Sequence, residues 1–265
     1  FGQFNGSYRT MRALHLFLHD FGAQLAPMPT YFPAQMPKSR EDVTTPRVTA
    51  RTDGRSGFIF INNYQRLHPL GPKPDFQVSL QLPAGTLKIP RQPTTIPDGA
   101  YTHWPVNLDV GGVTLQYATA ELLCRLGDPD TLVFAAWAGL PAEFAFATAA
   151  GDTVTAPGAQ LTRENGLTCV SGLQPGMAVA IEVKRSGGKP VQIVVLTRLQ
   201  GLSLAKATLA GRERLVVSPG DIYFNGNRVH LSSRAPADLQ VGIFPALPAP
   251  GPAFRAMVKD GIFQQ

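Results

Sequence analysis

The sequence is poor in cysteine. Cys124 and Cys169 are its only two cysteines, too few for a disulfide framework or for a metal site built on thiolates. They fit either two small apolar core residues or one bridge, and their spacing does not decide between the two interpretations. Disulfide-rich folds and cysteine-ligated metal centres are therefore excluded.

Long apolar runs are also lacking. No stretch approaches the ~20 consecutive apolar residues of a transmembrane helix, so the sequence predicts no membrane span. It contains no signal peptide, but it begins at Phe1 rather than at a methionine, and the missing signal therefore says little about the compartment.

Charge is sparse. Charged residues make up 16% of the chain and hydrophobic residues 44%, a composition that argues against disorder. The net charge of +6 comes from scattered lysines and arginines rather than from the basic face or stripe that nucleic-acid binding needs. We therefore predict no nucleic-acid partner.

Several catalytic and cofactor motifs are missing. The sequence has no glycine-rich dinucleotide or phosphate loop and no Gly-x-Ser-x-Gly elbow. His15 and His19 lie one helical turn apart, but the residues between them include no glutamate base, so we expect both on a helix surface. We predict no metal and no cofactor.

A pair of catalytic carboxylates is not evident either. Glycoside hydrolysis needs two carboxyl groups about 5–5.5 Å apart for retention or about 6.5–9.5 Å apart for inversion. Glu121 and Glu143 are the best placed glutamates, each beside apolar strand residues. We expect each to face solvent at a strand end or to pair with an arginine. No catalytic residue is assigned in this chain.

One segment has helical periodicity. Apolar residues recur at spacings of three and four over residues 7–25, which predicts an amphipathic helix that Pro27 and Pro29 end. Leu16 and Phe17 widen the apolar face, so we expect partners on more than one side. The predicted stripe comprises Met11, Leu14, Leu18, Phe21 and Leu25.

The rest of the chain has the patterns of strands. Apolar and polar residues alternate over 76–82, 104–110 and 113–117, and 26 glycines and 24 prolines fit many short strands and turns. Asn225-Gly226 predicts a tight hairpin. The fold class expected is mainly β: an N-terminal helix followed by an antiparallel, jelly-roll-like region of one or two β-sandwiches. The predicted units are a helix at 1–26, a proline-rich linker at 27–46, a first β-domain at 47–150 and a second β-segment at 151–265.

Two groups of side chains could bind a sugar through aromatic faces and amides. One follows the apolar run 57–61 and includes Asn63, Tyr64 and Arg66; the other is centred on Trp104, near Tyr101 and His103. Trp104 is in register with Val106 and Leu108, which favours a core position for it. We predict Asn63, Tyr64, Arg66 and Trp104 as candidate carbohydrate-binding residues.

Several segments resemble bacterial β-galactosidases of glycoside hydrolase family 35. Residues 7–18 with 20–22 and 25–28 resemble the helix that closes the catalytic barrel, and residues 57–66 (GFIFINNYQR) resemble the first strand of the β-region after it. Further similar segments are residues 82–87, 89–90, 104–108, 115–120, 141–144, 211–215 and 221–224.

The resemblance implies an enzyme whose catalytic machinery lies elsewhere. Members of the family have a (β/α)8 barrel with two catalytic glutamates and retain configuration; both glutamates are expected upstream of Phe1. Residues 1–26 would be the last barrel helix, and residues up to 265 a β-segment incomplete at its C-terminus. For the intact parent we expect a β-galactoside or oligosaccharide substrate and a periplasmic or secreted location rather than a cytoplasmic one.

Two hypotheses of function follow. In the first, the chain is a non-catalytic β-region that supports the barrel, its partner, and helps to shape the rim of the substrate site. In the second, it is a freestanding carbohydrate-binding or adhesion module of the β-sandwich type.

Overall fold

The computed structural model describes residues 5–82, 85–226, 228–233, 239–248, 259–260 and 263–264. Its helices are α1 (Gly6–Leu25) and α2 (Arg198–Leu202). The first eleven strands are β1 (Thr30–Tyr31), β2 (Arg47–Thr52), β3 (Gly57–Asn62), β4 (Lys73–Leu82), β5 (Gly85–Ile96), β6 (Tyr101–Val110), β7 (Val113–Ala118), β8 (Glu121–Gly127), β9 (Asp130–Ala136), β10 (Phe144–Ala147) and β11 (Thr153–Thr155). The others are β12 (Gln160–Glu164), β13 (Leu167–Ser171), β14 (Val179–Lys184), β15 (Pro190–Thr197), β16 (Leu204–Leu209), β17 (Arg212–Val217), β18 (Asp221–Asn225), β19 (Arg228–Ser232), β20 (Gly242–Phe244), β21 (Lys259–Asp260) and β22 (Phe263–Gln264).

The predicted class is confirmed: the protein is mainly β, with a helix followed by β-sandwich regions. The strands expected from alternation lie within β4, β6 and β7, and the hairpin predicted at Asn225-Gly226 joins β18 to β19. The helix expected at 7–25 is α1. It begins at Gly6, and Asn5 before it is the N-cap, whose side chain accepts a hydrogen bond from the backbone N–H of Tyr8.

Three sheets are stacked in the body of the protein. Sheet I has the strand order β1-β2-β3-β6-β7-β10-β13-β12, sheet II the order β11-β14-β15-β9-β8, and sheet III the order β16-β17-β20-β22-β21. Among the described strands, pairing is antiparallel except between β9 and β15 of sheet II, which run parallel. Sheets I and II form a sandwich whose core includes Phe134, Phe144 and Ile193. Sheet III packs on the other face of sheet II, where Leu215 and Val133 belong to one buried apolar cluster.

Two hairpins cover the outer faces of this stack. The β4–β5 hairpin packs on sheet I, around Trp104 and Ile89, and the β18–β19 hairpin packs on sheet III, around Ile222 and Val216. Sheet II therefore lies between two other sheets, and the side chains of β9 are buried on both faces, with only Asp130 partly exposed. This double burial explains why β9 and β15 are nearly continuous apolar runs rather than alternating ones.

The domain boundary predicted at residue 150 is wrong. Strand β10 pairs with β13 in sheet I, and β9 pairs with β15 in sheet II, so strands from both sides of residue 150 build the same sandwich.

The linker predicted at 27–46 is also partly packed against the body of the protein, because β1 pairs with β2 and Met28 is buried. Residues 227, 234–238, 249–258, 261–262 and 265 of the predicted second segment lie outside the described residues.

The face on which α1 packs also differs from the prediction. The buried residues are Ala13, Leu16, Phe17, Phe21 and Leu25, whereas Met11, Leu14 and Leu18 are exposed. The helix has apolar residues on two sides, so periodicity alone does not say which side packs inward. Phe17 and Phe21 contact Phe58 and enter the core of the sandwich, and large aromatic rings gain the most from that burial.

Candidate functional site

The polar segment that follows β3 is a structural junction. The backbone N–H of Asn63 donates to the Ala100 carbonyl at 2.6 Å, and its side-chain amide donates to the carbonyls of Gly71 and Pro97, both at 2.8 Å. Asn63 is buried. Its N–H groups hold the loop 64–72 against the turn at 97–100. Asn63 was predicted as a carbohydrate-binding residue, but its donors are not available to a sugar.

Tyr64 and Arg66 lie on the exposed side of this junction. Tyr64 is 54% exposed and borders an open depression with His68 and Asp98. The backbone N–H of Tyr64 donates to Asn62 Oδ1 at 3.0 Å, which fixes the start of the loop. These two predicted residues remain accessible to a ligand.

Trp104 is not accessible. It has no exposed surface and lies between sheet I and the β4–β5 hairpin, with its ring edge-on to Phe76 at 6.1 Å. The prediction that it stacks on a sugar is therefore wrong. The physical reason is the register with Val106 noted in the sequence, which places both side chains on the hairpin-covered face.

A polar cluster that was not predicted lies between α1, α2 and the two sheets of the sandwich. Glu121, at the start of β8, forms an ion pair with Arg198 at the start of α2, and both side chains are largely buried. His103 of β6 places Nδ1 3.9 Å from Glu121 Oε1, and its Nε2 is 2.7 Å from the Leu122 carbonyl. Because a carbonyl only accepts, Nε2 carries the hydrogen and Nδ1 is the acceptor of the neutral ring.

Aromatic rings enclose this cluster. The Arg198 guanidinium lies over the Trp137 ring at 4.5 Å and over the Tyr101 ring at 5.0 Å, both within the range of a cation–π contact. The Phe17 ring of α1 lies 4.0 Å from the His103 ring. These contacts hold the charged and polar groups in one arrangement.

The enclosure changes the acid–base properties of both groups. Burial raises the pKa of Glu121 to about 7, against the opposing effect of Arg198. Burial lowers the pKa of His103 to about 4, so the ring is neutral at physiological pH. A carboxyl and an imidazole with displaced pKa values at one cavity are a recognised mark of a functional site.

The cluster lies at an open cleft of about 620 Å³. Strands β2, β3 and β6 form one wall, and α1 with the linker forms the other. Sequence reasoning missed the cleft because its polar groups come from distant segments: Glu121 and Arg198 are 77 residues apart. Two alternatives were expected for Glu121, solvent exposure at a strand end or pairing with an arginine, and the structure shows the second.

Glu143 belongs to a different environment. Its Oε1 accepts from the Tyr117 hydroxyl at 2.7 Å and from the Arg91 backbone N–H at 3.0 Å, so it neither faces solvent freely nor pairs with an arginine side chain. Burial raises the pKa of Tyr117, and the hydrogen bond to Glu143 acts in the same direction. Glu121 and Glu143 share no hydrogen-bond partner among the described residues.

The two cysteines and the histidine pair of α1 do not form a site among the described residues. Cys124 and Cys169 are free and buried in different clusters, Cys124 between sheets II and III and Cys169 under the β4–β5 hairpin. His15 and His19 lie on the exposed surface of α1, as predicted, and His19 Nδ1 contacts Asp20 Oδ1 at 2.8 Å. In the part of the chain that the structure describes, no three His, Cys, Asp or Glu side chains converge as metal ligands.

Neither helix among the described residues combines the length and the apolar character needed to cross a membrane. Comparison of the sequence with protein-family models and with curated proteins gives no match to either.

Proposed function

We propose that this chain is a non-catalytic β-region of a retaining β-galactosidase that resembles glycoside hydrolase family 35, in which it supports the catalytic barrel. The observation that carries the proposal is the two-sided helix α1. One apolar side of α1 is buried in this β-body, and the other side, with Met11, Leu14 and Leu18, is exposed along the helix. An apolar stripe of this kind on a monomer marks a contact surface.

The glutamates support the same proposal. Glu121 is paired with Arg198, and Glu143 accepts hydrogen bonds from Tyr117 and Arg91, so both carboxylates have partners within this chain. Hydrolysis in the parent enzyme would then depend on the glutamates of the barrel, as in the family that the sequence resembles. The substrate of the parent would be a terminal β-galactoside.

The first test compares this chain with the longer product encoded when the reading frame is extended upstream of Phe1. We expect the longer protein to hydrolyse a chromogenic β-galactoside and this chain to give no turnover. Activity of this chain that survives both Glu121→Gln and Glu143→Gln would show that catalysis lies within it by another route, and the proposal would fail.

The second test addresses the exposed stripe directly. Met11→Glu with Leu18→Glu should leave the unfolding of this chain nearly unchanged, because both side chains are exposed in it. In the longer protein the same pair should lower stability by several kcal/mol, since burying each apolar side chain contributes roughly 1.5–3 kcal/mol. Leu161→Glu, at the far edge of sheet I, is the matched control and should have little effect in either protein. Equal effects in both proteins would contradict a barrel contact.

The second candidate is a freestanding carbohydrate-binding or adhesion module. The observation in its favour is Tyr64, whose exposed ring lies on a loop that Asn63 holds in place. This function predicts that calorimetry detects binding of a galactoside and that Tyr64→Ala abolishes it. If no sugar binds in the millimolar range, this candidate is removed.

A further inference from the structure

The cleft beside α1 has a floor built from two cross-strand rows. In the first row Arg47 of β2, Asn62 of β3 and Tyr101 of β6 are neighbours, and in the second Thr49, Phe60 and His103 are neighbours. Residues two apart on a strand project from the same face, so the two rows present their side chains on one surface. That surface is the floor of the cleft, and it faces Thr10 and Leu14 of α1. The strand register therefore determines which side chains face the cleft.

Two hydrogen-bond acceptors meet at the inner end of this floor. His103 Nδ1 carries no hydrogen, because Nε2 donates to the Leu122 carbonyl. Glu121 Oε1 is the carboxylate oxygen not used by Arg198, and it lies 3.9 Å from Nδ1, too far for a direct hydrogen bond. Both acceptors belong to residues that line the cleft. A ligand with two adjacent hydrogen-bond donors could therefore donate to both acceptors at once.

A donor is available at the outer end. Arg47 Nη1 is buried, and among the described residues it has no hydrogen-bond partner, while Nη2 donates to the Arg40 carbonyl at 3.3 Å. A buried N–H without an acceptor is costly, so an acceptor on a ligand would be well placed there. Phe60, on the middle strand, adds ring surface between the two ends, Tyr101 adds ring surface on the strand of His103, and Thr49 adds a hydroxyl on the strand of Arg47. The floor thus has hydrogen-bond acceptors at its inner end, an apolar ring in the middle and a donor at its outer end.

We propose that this cleft binds a neutral ring with adjacent hydroxyl groups, of the size of a pyranose. Two neighbouring hydroxyls would donate to His103 Nδ1 and Glu121 Oε1, and hydroxyl or ring oxygens at the other end would accept from Arg47 and from the Thr49 hydroxyl. A neutral ligand fits better than an ammonium, because Arg198 already neutralises Glu121 and Arg47 adds a positive charge. The cleft of about 620 Å³ is within the usual range for small-ligand sites. This proposal does not depend on the proposed function.

The test is calorimetric titration of the chain with D-glucose, D-galactose and lactose at about pH 8, where a carboxyl of pKa about 7 is ionised. Cyclohexanol and n-butylamine serve as probes with one hydroxyl and with an ammonium. We expect at least one sugar to bind in the millimolar range and neither control probe to bind. Failure of all three sugars, or tighter binding of n-butylamine than of every sugar, would overturn the proposal.

Matched variants locate the site. Arg47→Met and Thr49→Val, on β2, should each weaken sugar binding by about three- to tenfold, the effect of one lost hydrogen bond. Thr162→Val and Arg163→Met, on β12 at the opposite edge of the same sheet, should leave affinity unchanged. Thermal unfolding of each variant checks that the fold is kept.

The same variants separate this site from the exposed ring of Tyr64. Binding that is lost in Tyr64→Ala but unaffected by Arg47→Met and Thr49→Val would place the sugar on the loop and contradict the cleft. As a second readout, amide resonances of residues 47–49 and 101–103 should shift on titration, whereas those of residues 64–68 should not. A shift confined to residues 64–68 would likewise contradict it.

Discussion

Lys206 of β16 and Asp20 of α1 form an ion pair in which Nζ lies 2.6 Å from Oδ1 and 2.8 Å from Oδ2. Both side chains are nearly buried. The Arg125 backbone N–H also donates to Asp20, and Nζ also donates to the Arg125 carbonyl. The pair therefore joins the helix to sheets II and III at once, and it explains why α1 is fixed to this body although its other side is exposed.

We predict that Asp20→Asn lowers the free energy of unfolding by roughly 3–5 kcal/mol, because it leaves the Lys206 ammonium buried without its main partner. Denaturant titration measures this. The double variant Asp20→Asn with Lys206→Met should be less destabilised than Asp20→Asn alone, since it removes the uncompensated charge. A double variant whose loss equals the sum of the two single losses would show that the ion pair is not coupled.

The same pair predicts acid sensitivity. Burial acts to raise the pKa of Asp20, but the hydrogen bonds from Lys206 and Arg125 outweigh it, and the net result is a pKa below the ordinary 3.8. A carboxyl with a lowered pKa stabilises the fold above its unfolded-state pKa and loses that contribution as pH falls. The wild-type chain should therefore lose stability below about pH 4, and Asp20→Asn should lose less over that interval.

His103 and Glu121 predict opposite pH dependences that nearly cancel. The pKa of Glu121 rises from 4.5 to about 7, so the folded state holds a proton that the unfolded state has released, and stability falls as pH rises through this interval. The pKa of His103 falls from 6.5 to about 4, so stability rises with pH over nearly the same interval. Each effect is on the order of 3 kcal/mol.

The wild-type chain should consequently show little change in unfolding free energy between about pH 4.5 and 6.5. Glu121→Gln should expose the His103 dependence, with stability rising with pH, and His103→Gln should expose the Glu121 dependence, with stability falling. Urea titrations across this range distinguish the two slopes. Two variants with slopes of the same sign would rule out this assignment.

The two sides of α1 can be compared at neighbouring positions. Phe17 is fully buried against Phe58 and His103, and Phe17→Ala should cost roughly 3–5 kcal/mol. Leu18 is 40% exposed, and Leu18→Ala should change stability by no more than about 0.5 kcal/mol. Thermal unfolding of both variants is sufficient. Equal losses at the two positions would mean that the chain in solution buries both sides of the helix.

Local pattern predicted much of the fold. Strands with one more exposed face, such as β4 and β7, follow from alternation alone, and Asn225-Gly226 located its hairpin because a turn is a property of a few residues. The stacking order could not be predicted in this way. Sheet II takes β9 and β15 from positions about 60 residues apart in the sequence, and nothing local specifies that parallel pairing.

The site was harder to predict for the same reason. Asn63 and Tyr64 are adjacent residues with polar side-chain groups, yet one is buried and the other exposed. The difference depends on two carbonyl groups, at Gly71 and Pro97, that the fold brings to Asn63. Glu121 likewise acquires its properties from Arg198 and from enclosure by rings of other segments. Sequence pattern reported the types of residue present, but not which of them meet.

Two neighbouring asparagines give the sharpest test of that junction. The Asn63 amide donates to two carbonyls, so Asn63→Asp places acceptor oxygens against acceptors and should destabilise the chain by several kcal/mol. Asn62 uses Oδ1 to accept from the Tyr64 N–H, a role that a carboxylate keeps, so Asn62→Asp should be nearly neutral. Limited proteolysis should then cleave within residues 64–72 faster in Asn63→Asp than in Asn62→Asp or in the wild type. Equal cleavage in the two variants would mean that the Asn63 side chain does not hold this loop.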